Sequence, residues 1–157
     1  MGNHRIGRAR RRARIGAALL ALGVLPLAAC GGDPAQDYCA AVQEHQEELT
    51  EIVAAGGPTA LLGALDAFRD LQEQAPGDIR DEWQQVVGRL DDLEEALEDA
   101  DVDPQTYDAA EPPGDLPAAD RSRIAAAGRA LVAPETADAL EALQQQARDV
   151  CKTPLTL

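Results

Sequence analysis

Aromatic residues and positive charges are scarce in this 157-residue chain. The four aromatic side chains, Tyr38, Phe68, Trp83 and Tyr107, offer few platforms on which nucleic-acid bases could stack. Six of the fourteen bases lie in residues 1–29, so residues 30–157 carry eight bases against 28 acids, a formal charge of −20. Because a phosphate backbone is bound through lysine and arginine, we do not expect nucleic acid as a partner.

Side chains with catalytic chemistry are equally sparse. Residues 30–157 hold one histidine (His45), one serine (Ser122), one lysine (Lys152) and no asparagine. A Ser-His-Asp triad would need His45 and Ser122, which belong to different predicted helices. The chain has no glycine-rich loop of the Walker or dinucleotide-binding type. Paired carboxylates stay open in so acidic a chain, but we expect a protein that is not an enzyme and has no cofactor.

The first thirty residues have the pattern of an export signal. An arginine-rich stretch that ends at Arg14 precedes an apolar run over residues 15–29. This run is shorter than the roughly 20 residues that a membrane-spanning helix needs. A charged start, a short apolar middle and small residues at the end are typical of a cleaved signal peptide. The closing tetrapeptide, Leu27-Ala28-Ala29-Cys30, resembles the lipobox of bacterial lipoproteins.

The lipobox resemblance implies a lipoprotein signal peptide over residues 1–29, cleaved between Ala29 and Cys30, and a diacylglyceryl group on the Cys30 thiol. Acyl chains such as palmitate would then hold residue 30 on the extracytoplasmic face of the cell membrane, with residues 30–33 as a short tether. Each buried methylene contributes about 0.8 kcal/mol, so two chains anchor firmly. An ordinary signal peptide with an incidental cysteine is the alternative, and the export route, general secretory or twin-arginine, stays open.

Two cysteines remain once Cys30 is lipidated. Cys39 and Cys151 lie near the two ends of the mature chain. Thiols outside the cytoplasm oxidise, so the pair predicts a structural disulfide. Two free thiols or a redox pair are the alternatives, although the chain has no Cys-x-x-Cys motif.

Apolar residues recur at helical spacing along the mature chain, and strand-like alternation is missing. Asp33 as a cap, Pro34 in the first turn and Gly56 at the end delimit the first helix. We therefore predict an all-α bundle of about five helices in a domain of residues 34–157, stapled by one disulfide. The predicted helices cover residues 34–55, 58–75, 78–100, 118–132 and 135–150.

A proline-rich, acidic linker over residues 102–117 separates the third and fourth predicted helices. Five strictly alternating helices would place Cys39 and Cys151 at opposite ends of the bundle. Sixteen extended residues reach up to about 50 Å, which exceeds the roughly 35 Å of the third helix. We therefore predict that the linker crosses back along the bundle, and that the last two helices form a second hairpin in which Val150 points inward.

Acidic residues give only weak candidates for a metal site. Asp99, Asp101 and Asp103 alternate as in the first half of an EF-hand-like calcium loop. The second half departs from that pattern, because Pro104 stands where the loop needs glycine and Ala110 where it needs glutamate. A frayed acidic helix end is the alternative interpretation, and we expect no bound metal.

His45 shares the first predicted helix with Glu44 and Glu48. These three side chains form a weak set of metal ligands, because transition-metal sites usually include more nitrogen or sulfur donors. We therefore expect His45 to be a partly exposed helix residue and the glutamates to form a solvated face.

The whole pattern resembles small helical, lipid-anchored envelope proteins of high-GC Gram-positive bacteria. Thirteen arginines against one lysine fit a GC-rich genome. The specific part of the resemblance ends at Cys30, so it brings no functional residues to the bundle. Our leading hypothesis is a non-enzymatic interaction module, tethered to the membrane by its lipid, with a protein partner of unknown identity.

Two other functions stay open. A carrier of a small molecule or lipid would need a cavity between helices, which Leu65, Phe68, Trp83 and Leu90 would line. A calcium-responsive element would use the acidic stretch of residues 99–103.

Overall fold

A computed structural model describes residues 33–56 and 60–155, and every regular element within them is helical. The all-α prediction is therefore confirmed, with six α-helices and a short π-helix where about five helices were expected. Helices α1 to α6 and the π-helix cover, in chain order, Pro34–Ala55, Ala60–Gly63, Leu65–Gln74, Arg80–Glu98, Ala118–Leu131, Pro134–Gln146 and Ala147–Cys151.

Helix α1 begins and ends at the predicted residues. Asp33 caps it, since its Oδ1 accepts a hydrogen bond from the backbone N–H of Ala35 at 3.1 Å. Pro34 occupies the first turn, where its missing N–H costs nothing. At the other end Gly56 adopts a φ of 66°, a conformation that glycine reaches without a side-chain clash.

The second predicted helix is divided at Ala64 into α2 and α3. Hydrogen bonding continues across the division, because Ala64 N–H donates to Ala60 and Phe68 N–H donates to Ala64. Leu62, Ala64 and Leu65 are all buried, and a straight helix would not place these three positions on one face. The kink therefore allows all three side chains to enter the core.

The N-terminal parts of α1 and α4 meet at a buried aromatic cluster. Trp83 Nε1–H donates a hydrogen bond of 3.2 Å to the Tyr38 hydroxyl, and the Trp83 ring lies 5.6 Å from that of Phe68 in α3. Burial raises the pKa of Tyr38 to about 12, and the Trp83 hydrogen bond only partly opposes this. The core position expected of Phe68 and Trp83 is confirmed, and the two helices begin at the same end of the bundle.

Arg69 joins α3 to α4. Its NH2 lies 2.7 Å from both Asp91 Oδ1 and Glu94 Oε2 of α4, and its NH1 lies 3.2 Å from Asp66 within α3. The hydrogen bond to Glu94, with that to Asp91, raises the Arg69 pKa despite partial burial. This one cation therefore offsets repulsion among three carboxylates along the α3–α4 contact.

Helices α5 and α6 run in succession alongside α4, from its end towards its beginning. Arg123 near the start of α5 pairs at 2.7 Å with Asp99, just after α4. Thr136 at the start of α6 accepts a hydrogen bond of 3.3 Å from Gln85, near the beginning of α4. The chain then continues through the π-helix to Cys151, which lies against α1.

This path differs from the predicted second hairpin. Pro134 produces a kink and not a reversal, and Thr136 Oγ1 closes the kink by donating to the Ala130 carbonyl at 2.9 Å. Helices α5 and α6 therefore form one leg of the bundle. The legs are α1, α2–α3, α4 and α5–α6, an even number, so both cysteines fall at one end. The linker of residues 102–117 stays at the other end and does not run back along the bundle.

The predicted disulfide between Cys39 and Cys151 is present, with 5.0 Å between the Cα atoms. It joins the second turn of α1 to the π-helix. Beyond it, Leu155 is buried in the same core. The two termini of the described chain are therefore fastened at one end of the bundle.

The predicted inward orientation of Val150 is wrong, because its side chain is 45% exposed. Residues 147–151 form a π-helix, whose turn is wider than that of an α-helix. The wider turn places Ala147 and Cys151 in the core and turns Val150 outward.

We expect the Cys39→Ser/Cys151→Ser variant to lose about 4–5 kcal/mol of unfolding free energy, because the disulfide closes a long loop in the unfolded chain. Urea unfolding followed by Trp83 fluorescence measures this. Dithiothreitol is the control: it should destabilise the wild type and leave the variant unchanged. A wild type that does not respond to the reductant would contradict the structural role of the bridge.

We expect Tyr38→Phe to cost about 1–3 kcal/mol, because the buried Trp83 N–H then loses its acceptor. Tyr107→Phe removes the same hydroxyl from a half-buried linker residue and should change stability by less than about 0.5 kcal/mol. Thermal or urea unfolding of both variants makes the comparison. Equal effects would show that the Tyr38–Trp83 hydrogen bond is not a stabilising contact.

Candidate functional site

The linker between α4 and α5 forms an open cleft of about 550 Å³. The lining extends from Ala100, after α4, to Pro117, before α5. Because both ends of the linker contribute to one cleft, the segment returns close to the point where it leaves α4. The cleft therefore lies at the end of the bundle opposite the disulfide.

Short-range hydrogen bonds shape the linker. Asp103 Oδ1 accepts a hydrogen bond from Gln105 N at 2.9 Å, and Asp108 Oδ1 accepts one from Ala110 N at 2.7 Å. Aspartate side chains favour such turns because they replace a backbone acceptor. The prolines in this segment lack the N–H that a helix would need, so the chain keeps an irregular but bonded path.

Apolar side chains attach the linker to the bundle. Leu116 is buried in the core, and Val102 and Tyr107 are half-buried against it. Arg121 of α5 donates from NH2 to the Leu116 carbonyl at 3.0 Å. The cleft consequently has an apolar floor that is fixed to the helices beneath it.

All the charged residues that line the cleft are acidic, and none is basic. Charges of one sign around a concave surface raise the local concentration of oppositely charged ligands. The cleft is therefore suited to a cationic group. Its five carboxylates belong to Asp101, Asp103, Asp108, Glu111 and Asp115.

The predicted calcium candidate Asp101 is a helix cap. Val102 N–H donates to the Leu97 carbonyl and Asp101 N–H to the Glu98 carbonyl, both at 2.9 Å. With Asp101 at a φ of 55°, these bonds form a Schellman motif, which satisfies the last carbonyls of α4. The alternating aspartates thus begin with a helix end and not with a calcium loop.

Asp99 and Asp103 have separate partners. Asp99 Oδ2 binds Arg123 at 2.7 Å, whereas Asp103 accepts its hydrogen bond inside the linker. Within residues 33–56 and 60–155, no three metal-ligating side chains converge on one point. The structure therefore does not bring Asp99, Asp101 and Asp103 together as ligands.

His45 contacts two carboxylates and not Ser122. Its Nε2 lies 2.8 Å from Asp70 Oδ2 of α3, and its Nδ1 lies 3.3 Å from Glu48 Oε2 of α1. Ser122 is exposed on α5. Both ring nitrogens of His45 are thus engaged away from the serine that a triad would require.

The proposed lining of a carrier cavity is packed core. Leu65, Phe68, Trp83 and Leu90 are each at most 1% exposed and belong to one hydrophobic cluster. The described clefts are open at the surface instead. The spacing of these four residues therefore indicated burial and not a ligand site.

The membrane-targeting predictions concern another part of the chain. Ala29 and Cys30, the predicted cleavage and lipidation residues, lie outside the described residues. In the part that the structure describes, no helix combines the length and apolar character needed to cross a bilayer.

Comparisons with protein-family models, with curated proteins and with solved structures find no match to this chain.

Sequence reasoning identified the linker but not its cleft. Asp108, Glu111 and Asp115 were visible as acids in a proline-rich segment, and that density of charge was the available signal. What the spacing did not reveal was that both linker ends meet at one end of the bundle. Arg69 was likewise missed, because its three acidic partners come from two different helices.

We expect Asp101→Gly to raise the unfolding free energy by about 0.5–1 kcal/mol, because glycine adopts a positive φ without a Cβ penalty. Removing a negative charge near the end of α4 acts in the same direction. Thermal unfolding with and without calcium makes the measurement. A calcium-dependent shift in the wild type that Asp101→Gly abolishes would contradict the helix-cap role.

Proposed function

We propose that this protein is a lipid-anchored, extracytoplasmic interaction module without enzymatic activity. The tetrapeptide of residues 27–30 and the short apolar run before it support a lipid on Cys30. The Cys39–Cys151 disulfide supports an oxidising compartment, because disulfides persist outside the cytoplasm. The acyl chains then make the membrane the first partner.

The position of the acidic cleft carries the proposal. Three residues, 31–33, separate Cys30 from the start of α1 at Pro34, so the lipid would lie within about 10 Å of that helix. Helix α1 begins at the disulfide end, and the cleft lies at the other end of α4, whose 19 residues span about 28 Å. The cleft would therefore face away from the membrane, where it is open to other envelope proteins.

Charge supports an upright orientation. Residues 30–157 carry a formal charge of −20, and anionic headgroups repel a surface of that sign. A short tether with a strongly acidic domain therefore favours a bundle that stands on its disulfide end.

The lining of the cleft defines the partner that we propose. Carboxylates at the rim favour lysine or arginine side chains, while Val102, Tyr107 and Leu116 provide an apolar floor. The partner is therefore a cationic segment of an extracytoplasmic protein that also carries an apolar or aromatic side chain. The carrier and calcium hypotheses have no comparable observation in their favour.

Cross-linking and co-purification of the lipidated protein from native membranes test this function. We expect one stoichiometric partner, which is lost in the Cys30→Ala control. An Asp108→Asn/Glu111→Gln/Asp115→Asn variant should weaken its capture at least about tenfold, because three cleft charges are removed.

The matched control removes three exposed charges elsewhere, as Glu47→Gln/Glu51→Gln/Glu73→Gln, and should retain the partner. Equal loss of partner capture in both triple variants would show that the partner responds to the overall negative charge of the domain and not to the cleft. Absence of any partner above background would contradict the interaction module and direct attention to extracted lipid or small-molecule cargo.

A further inference from the structure

We propose that His45 is a proton-operated latch between α1 and α3. The side chain is largely buried, 18% exposed, at the contact between the two helices. Nε2 faces Asp70 Oδ2 of α3 at 2.8 Å, and Nδ1 faces Glu48 Oε2 of α1 at 3.3 Å. This inference does not depend on the proposed function or on the lipid anchor.

The geometry selects the charged form of the imidazole. A neutral imidazole has one N–H and one lone pair, so it can donate to only one of two carboxylates. Its second nitrogen would then place a lone pair opposite a carboxylate oxygen. The imidazolium donates from both nitrogens, and each hydrogen bond is then assisted by charge. A neutral ring protonated at Nε2 still donates to Asp70, but without the positive charge and with the Nδ1 lone pair facing Glu48. Protonation therefore strengthens the contact between α1 and α3 by adding charge to it.

Carboxylates of both helices lie along this part of the α1–α3 contact. Asp37 and Glu44 of α1 line the same surface depression as Asp70 of α3. The nearest cation in sequence to Asp70 is Arg69, whose guanidinium is committed to Asp66 and to carboxylates of α4. The titrating imidazole is thus the group that neutralises this part of the α1–α3 contact.

The other elements packed on α1 place no competing charge beside His45. Helix α2, of sequence ALLG, has no charged residue. The π-helix meets α1 at Cys39, about 9 Å along the helix from His45, and its Arg148 and Asp149 are exposed. Lys152 Nζ donates to the Asp149 carbonyl at 2.6 Å.

Electrostatics agree with this geometry. Burial alone would lower the His45 pKa, but the hydrogen bonds and charges of Asp70 and Glu48 together outweigh it, and the pKa is raised above its ordinary value. The stabilisation is therefore complete below the unfolded-state pKa of about 6.5 and is lost as the pH rises through the folded-state pKa. The contact between His45 and Asp70 is therefore strong at low pH and weak at high pH.

The release affects one end of α1. The disulfide fastens α1 to the π-helix at Cys39 whatever the pH. Deprotonation of His45 weakens the contact with Asp70, which lies further along α1, on the side of Ile52 and α2. We therefore expect proton release to loosen the α1–α2 end of the bundle and to leave the disulfide end unchanged.

Urea unfolding of the full chain at about pH 5.5 and about pH 8.5 tests the latch. The stability gap between the wild type and His45→Gln should be largest at the lower pH and narrow at the higher one. Comparing the two chains at each pH cancels the titration of other groups. A difference in unfolding free energy between the wild type and His45→Gln that is constant, or that grows with pH, would overturn the proposal.

NMR titration measures the His45 pKa directly. The pKa of a histidine with a purely structural role would not depend on the charge of Asp70. The chain has two histidines, His4 and His45, and His45→Gln assigns their signals. Asp70→Asn should lower the His45 pKa, and the matched variant Glu47→Gln, whose carboxylate does not contact the ring, should leave it nearly unchanged. A wild-type His45 pKa at or below about 6.5, or one insensitive to Asp70→Asn, would overturn the latch.

Discussion

The Cys39–Cys151 disulfide imposes the constraint on which the rest of the fold depends. It requires two residues 112 positions apart to lie at the same end of the bundle. An even number of legs satisfies that requirement, and the kink before Pro134 supplies it by joining α5 and α6 into one leg. The aromatic cluster of Tyr38, Phe68 and Trp83 fills the core beside the bridge. Covalent closure and aromatic packing thus act at the same end.

Three cationic side chains of the bundle are placed where carboxylates of different helical segments approach one another. Arg69 connects α3 to α4, Arg123 connects α5 to the end of α4, and His45 connects α1 to α3. In a domain with a formal charge of −20, each of these contacts relieves repulsion between helices. His45 differs from the arginines because its charge is conditional on pH. The contact of His45 with Asp70 is therefore the one of these three whose strength changes with pH.

Excess negative charge accumulates at the end of the bundle opposite the disulfide, where the linker has no arginine or lysine in its cleft. The linker keeps its shape through Asx turns at Asp103 and Asp108 and through the apolar contacts of Leu116, Val102 and Tyr107. The cleft therefore holds its shape without a cation among its lining residues. Asp101 has a local role as well, because its left-handed conformation caps α4.

The sequence by itself determined the helices, the disulfide pairing and the main core residues. Each of these follows from information close along the chain: helical periodicity, the cap at Asp33, the stop at Gly56 and the pairing of two remaining cysteines. Tertiary structure alone decided the direction of α6, the outward turn of Val150, the acidic cleft and the contact of His45 with Asp70. A proline predicts that a helix is interrupted, but it does not predict the angle at which the next helix continues. A kink and a reversal of the chain have similar local sequences. The cleft and the His45–Asp70 contact are made by residues that are distant along the chain and meet only after the legs have packed.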